Sequence, residues 1–183
     1  MNSASPVIWF KDIRKDDIPV VGGKGANLGE MIAAGFPVPN GFCITAQAYF
    51  EIIDHNQLQP KIKALLGQVD VNRPEELQEI SRRIQSLVAR VDIPDNISHA
   101  IVKAYDQLAG PLGDALVAIR SSATAEDLPD ASFAGQQATF LNIKGDANVL
   151  NYVRQAWASL FTARAIFYRV QKKSLLGDAI EAY

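Results

Sequence analysis

Cysteine is nearly absent from the 183 residues, with Cys43 standing alone. One thiol cannot form an internal disulfide, which fits a reducing cytoplasm. Cys43 sits in the apolar run Phe42-Cys43-Ile44 and reads as a small buried hydrophobe. Histidine is almost as scarce, with only His55 and His99. Neither has metal-ligand spacing or a Ser/His/Asp arrangement around it, so both read as surface residues. An excess of positive charge is also missing. The formal net charge is -2, which gives no bulk attraction to nucleic acid or to an anionic membrane surface. Any anion site must come from local placement of a few Lys and Arg. No apolar run approaches the roughly 18 residues that a membrane span needs. The opening Met1-Asn2-Ser3-Ala4-Ser5-Pro6 has no basic segment followed by an apolar one, so no secretory leader is expected.

What is present suits a folded α/β domain. Hydrophobic residues make up 48% and charged residues 21%, enough for a packed core. Val7 to Phe10 and Phe42 to Thr45 read as short strands. Ile18 to Gly25 reads as a strand or loop that turns sharply into a helix from Gly25 to Ala34, with Leu28, Met31 and Ile32 on one face and Gly35 as its stop. Pro37 to Gly41 is a loop, and Thr45 is a candidate N-cap for a helix over Ala46 to Ile53. In the middle, Leu77, Ile80, Ile84, Leu87, Val88 and Val91 recur at helical spacing, with Pro74 suited to the first turn. Ile97, Ile101, Ala104, Tyr105 and Leu108 mark a second such face. Ala115 to Ile119 is a strand that delivers Arg120, and Ala138 to Ile143 alternates like another. A long helical region is expected from about Asn148 to Lys172. Asp178 to Tyr183 reads as the beginning of a further element, so the chain is expected to belong to a larger fold.

Two segments carry chemistry. In Gly22-Gly23-Lys24-Gly25 the glycines let backbone approach a ligand, the helix start offers N–H groups to an anion, and Lys24 adds positive charge. It is not the P-loop pattern, and a tight turn with a solvated lysine is the competing reading. The second segment runs from Arg120 through Ser121-Ser122-Ala123-Thr124 to Gln137. An arginine at a strand end, followed by small hydroxyl residues, can clamp phosphoryl oxygens with two parallel hydrogen bonds. A solvated loop with Arg120 paired to Glu126 or Asp127 explains the same residues. That acidic pair could instead hold Mg²⁺.

Taken in order, Val21-Gly22-Gly23-Lys24-Gly25-Ala26-Asn27-Leu28-Gly29-Glu30-Met31, Gly35-Phe36-Pro37-Val38-Pro39-Asn40-Gly41-Phe42, Val117 to Asp127 with Ser132-Phe133-Ala134-Gly135-Gln136-Gln137, and Ala158-Ser159-Leu160-Phe161 with Arg164-Ala165 and Tyr168-Arg169 closely resemble the phosphoenolpyruvate synthase (pyruvate, water dikinase) family. Rifampicin phosphotransferases share much of the Arg-Ser-Ser-Ala-Thr loop and are the near alternative. A non-catalytic packing module is the other.

The resemblance implies that residues 1–183 are the N-terminal portion of an ATP-grasp nucleotide-binding domain, helix-rich with a small mixed sheet. In the family such a domain binds MgATP. It passes a phosphoryl group to a histidine on another domain, which phosphorylates pyruvate in a third, with AMP, phosphoenolpyruvate and phosphate as products. Carried over by motif, Lys24 and Arg120 contact ATP phosphates, Arg120 acts catalytically, and Ser132, Ala134 and Gly135 belong to the loop that covers them. The family's metal-binding carboxylates come from later sequence, so Mg²⁺ ligands are expected mostly outside this chain. Neither histidine here sits in the family's phosphohistidine motif, and the barrel that takes pyruvate has no counterpart. The isolated chain is therefore expected to be inactive as a dikinase, with the remaining domains of its parent as partners and a cytoplasmic location.

Overall fold

Pro19, Gly22 and Thr45 set the first third of the fold. The computed structural model describes residues 5–113, 115–122 and 138–176. β1 (Val7–Trp9) pairs antiparallel with β2 (Phe42–Ile44), and the rings of Trp9 and Phe42 meet edge-on at 5.7 Å. Between them runs α1 (Ile18–Ala33), with Pro19 in its first turn and a break at Gly22, where φ is 73° and ψ is 168°. Ile18 to Val21 is thus helical rather than strand or loop, because Pro19 presets φ for a first turn. The buried face of α1 also differs from the expected one. It consists of Val21, Gly22, Gly23, Gly25, Ala26 and Gly29, whereas Met31 is 43% exposed. Small residues let this helix lie directly on its neighbours, while Leu28 and Ile32 are half-buried.

Thr45 caps α2 (Ala46–His55), its hydroxyl accepting from the Ala48 N–H at 3.2 Å. α3 (Leu58–Leu66), which the sequence had not singled out, follows through Gln57 at φ 52°. α4 (Pro74–Val88) starts with Pro74 and the acidic Glu75 and Glu76, which suit the positive end of a helix. Its stripe of Leu77, Ile80, Ile84 and Val88 is buried throughout, as are Ile97, Ile101, Ala104 and Tyr105 of α5 (Asp95–Ala109). These faces, with those of α2 and α3, form the main core. Each fully buried isoleucine contributes about 1.5–3 kcal/mol relative to exposure.

The expected long helical region at the C-terminal side is present and is divided into two helices. α6 (Asp146–Ala158) ends in a 3-10 turn over Ser159–Phe161, and α7 (Ala163–Leu176) restarts after it. The Thr162 hydroxyl accepts from the Ala165 N–H at 3.2 Å, as an N-cap does. The break changes which face is buried. Phe161, Ala163, Ala165 and Ile166 pack inward, while Phe167 and Val170 are 41% and 38% exposed. Buried Ser81 fixes the break to α4 by donating to the Phe161 carbonyl at 2.8 Å.

β3 (Val117–Arg120) and β4 (Thr139–Ile143) form a second antiparallel pair, with an irregularity between Val117 and Ile119. The molecule is therefore helix-rich α/β, as expected. Among the described residues the strands pair two by two, without the parallel neighbour that a mixed sheet would contain.

Candidate functional site

One phenol fixes the hairpin that carries Arg120. The Tyr105 hydroxyl, on α5, donates to the Ala115 carbonyl at 2.8 Å and accepts from the Gly145 N–H at 2.9 Å. Ala115 precedes β3 and Gly145 follows β4, so both strands are anchored to the core at the same end. Their other end, where Arg120 pairs with Thr139, faces away from that anchor. Arg120 is exposed, and its Nε donates to Thr139 Oγ1 at 3.3 Å.

The glycine turn of α1 meets this free end. Lys24 Nζ donates to the Ser121 carbonyl at 3.2 Å, across 97 residues of sequence. The Gly25 N–H donates to Ser122 Oγ at 3.3 Å. At Gly22 the backbones are so close that an added Cβ would lie 2.8 Å from the Ser122 carbonyl carbon and oxygen. Real Cβ atoms do not approach backbone this closely, and the φ of 73° with an extended ψ suits glycine almost exclusively. Behind the turn, a Cβ on Gly25 would lie 2.7 Å from Cys43 Sγ. Burial pushes the Cys43 thiol up to about 12, in keeping with its reading as a small apolar group.

Two sequence segments picked for phosphate chemistry are thus brought together. The junction places a lysine, an arginine, two hydroxyl groups and the start of the second limb of α1 around the end of β3. Ammonium, guanidinium and hydroxyl donors suit phosphoryl oxygens. Ser132, Ala134, Gly135 and the acidic pair Glu126 and Asp127 lie outside the described residues. Ser122 was picked from the sequence as a hydroxyl near the phosphates and Tyr105 as part of a buried helix face; their bonds to Gly25, Ala115 and Gly145, and the contact of Thr139 with Arg120, were not anticipated. His55 and His99 are exposed, and His55 faces Asp92 at 3.6 Å.

Among the described residues, no three His, Cys, Asp or Glu gather as a metal site. No described helix is long and apolar enough to cross a membrane. A separate open cleft of about 380 Å³ lies between α4, β4 and α6, lined by Arg82, Gln85, Phe140, Gln155 and Thr162 among others. Neither Lys24 nor Arg120 lines it, and Arg82 already pairs with Glu79 at 2.9 Å.

Residues 18–179 match the family described as pyruvate phosphate dikinase, AMP/ATP-binding domain. The chain is 52% identical over 165 residues to a probable phosphoenolpyruvate synthase of Methanothermobacter thermautotrophicus, covering 89% of this chain and 24% of that protein. It is 47% identical over 184 residues to a probable phosphoenolpyruvate synthase of Staphylothermus marinus, covering 96% and 22%. It is 49% identical over 166 residues to a phosphoenolpyruvate synthase of Aeropyrum pernix, covering 89% and 20%. The chain therefore spans less than a quarter of the length of these curated relatives.

Proposed function

The chain belongs to the pyruvate phosphate dikinase AMP/ATP-binding domain family, and from that premise we propose that residues 1–183 form the N-terminal portion of an ATP-grasp-type domain whose glycine turn and β3 end hold the phosphates of ATP. The observation that carries this reading is the convergence of Lys24 and Gly25 with Ser121 and Ser122 immediately after Arg120.

In this reading Lys24 supplies a point charge and Arg120 a planar two-pronged donor at the same strand end. Phosphoryl transfer is promoted chiefly by positioning and by neutralising charge on the moving group, and these two side chains suit that work. Arg120 is assigned the catalytic contact, and Lys24 the binding contact. Ser132, Ala134 and Gly135 are assigned to the covering loop from the motif alone. Among the described residues no three His, Cys, Asp or Glu gather, and the Mg²⁺ ligands are assigned mostly outside this chain, so no step here runs through the metal.

The relatives' names support a phosphoenolpyruvate synthase as the type of protein in which the segment works, in preference to a rifampicin phosphotransferase. The proposed overall reaction turns ATP, pyruvate and water into AMP, phosphoenolpyruvate and phosphate through a phosphohistidine, with pyruvate bound by another domain in the cytoplasm. A purely structural packing module is the second reading, and calorimetric titration separates the two. ATP is expected to bind the 183-residue chain, and Lys24→Ala to weaken it roughly 10- to 100-fold, the worth of one charged hydrogen bond. Failure of the 183-residue chain to bind ATP would favour the packing module, and an unchanged affinity in Lys24→Ala would remove Lys24 from the phosphate contacts.

A further inference from the structure

We infer that Ser122 is a positioning residue for the nucleotide site, acting through Lys24: its hydroxyl supplies, from 97 residues away, the cap that the second limb of α1 lacks. This rests on the reading of Lys24 as a phosphate contact. The limb begins after Gly22, which has no side chain to accept an orphan N–H. Ser122 Oγ takes that place by accepting from Gly25 at 3.3 Å.

The geometry excludes the usual alternative. A capping side chain on Gly22 would run into the Ser122 backbone, where even a Cβ comes within 2.8 Å. The turn has therefore given up a local cap for one carried by the strand that also carries Arg120. Lys24 precedes the bonded amide directly, and its ammonium donates to the Ser121 carbonyl at 3.2 Å. The two bonds run from consecutive residues of α1 to consecutive residues after β3. They fix the direction in which the lysine leaves the helix relative to the arginine. Losing the hydroxyl removes one tie, after which the start of the limb can move independently of the strand end.

A double-mutant cycle tests this, with ATP affinity of the 183-residue chain measured by calorimetry for wild type, Ser122→Ala, Lys24→Ala and the double variant. Ser122→Ala is expected to weaken ATP roughly 3- to 10-fold, as for one neutral hydrogen bond. In the Lys24→Ala background the same change is expected to add almost nothing, because its effect is transmitted through the lysine. An equal loss in both backgrounds would mean a general effect on the fold and would overturn the inference. So would an unchanged affinity in Ser122→Ala beside a weakened Lys24→Ala, which would leave the nucleotide site standing without Ser122's role. If Lys24→Ala itself binds like wild type, the reading of Lys24 as a phosphate contact fails and this inference falls with it. Thermal melting of all four proteins accompanies the cycle, and a melting temperature of Ser122→Ala close to that of wild type is the expected result.

Discussion

In α4 and α5 the buried groups are large, apolar and spaced by the helical period: Leu77, Ile80, Ile84 and Val88 on one, Ile97, Ile101 and Tyr105 on the other. At the junction of α1 and β3 they are Gly22, Gly23, Gly25 and Ser121, joined by polar bonds between segments far apart in sequence. The first region gains stability from area removed from water, which tolerates small shifts. The second gains a fixed geometry from close backbone approach, which tolerates almost none. A scaffold and a proposed site make different demands, and the two regions differ in residue type accordingly.

The contrast is sharpest if each region is damaged separately. Ile84→Ala empties a fully buried position in α4 and is expected to cost about 2–5 kcal/mol of stability in chemical denaturation. ATP affinity per folded molecule should stay near wild type. Arg120→Lys is the reverse case. In a phosphoenolpyruvate synthase carrying this segment it should lower kcat for ATP use about 10²- to 10³-fold with little change in ATP affinity or melting temperature. A near-normal kcat in a folded variant would remove Arg120 from the catalytic assignment.

Gly22→Ala lies between these two in character. A side chain at that φ and ψ costs about 1–3 kcal/mol, and the collision with Ser122 adds to it, so stability and ATP affinity should fall together. Loss of stability with unchanged affinity would separate the turn from the site. The smallest effect concerns Cys43 behind the turn. Its thiol is raised from 9.0 to about 12 by burial, so above pH 9 the unfolded chain releases a proton that the folded chain retains. That contribution is complete below pH 9 and is lost as pH rises toward 12. Tyr49, raised from 10.0 to about 12, adds a loss in the same direction from pH 10 upward. Denaturation midpoints measured from pH 8 to 11 should fall. Replacing Cys43 by Ala should flatten the part between 9 and 10.

The helical scaffold was legible because its signals are local. The stripes of α4 and α5, Pro74 in a first turn and Thr45 as a cap all act within a few residues, and the structure has each of them. The break before α7 was missed although its cap, Thr162, is local too, because the apolar residues on either side continue at near-helical spacing. Strand pairing and the meeting of Gly25 with Ser122 depend on contacts between distant segments, for which periodicity carries no information. Lys24 and Arg120 were picked by residue type and motif. The meeting of Lys24 with Ser121, the residue after Arg120, came from the fold, with Tyr105 holding one end of the β3–β4 pair while α1 meets the other.

The most direct test of the central claim, that the glycine turn and the β3 end form one phosphate site, is an amide NMR titration of the chain with ATP. Perturbations saturating together at residues 23–25 and at residues 120–122 are expected, with the cleft beside Arg82 unaffected. Changes confined to that cleft, or to one of the two segments alone, would contradict the claim.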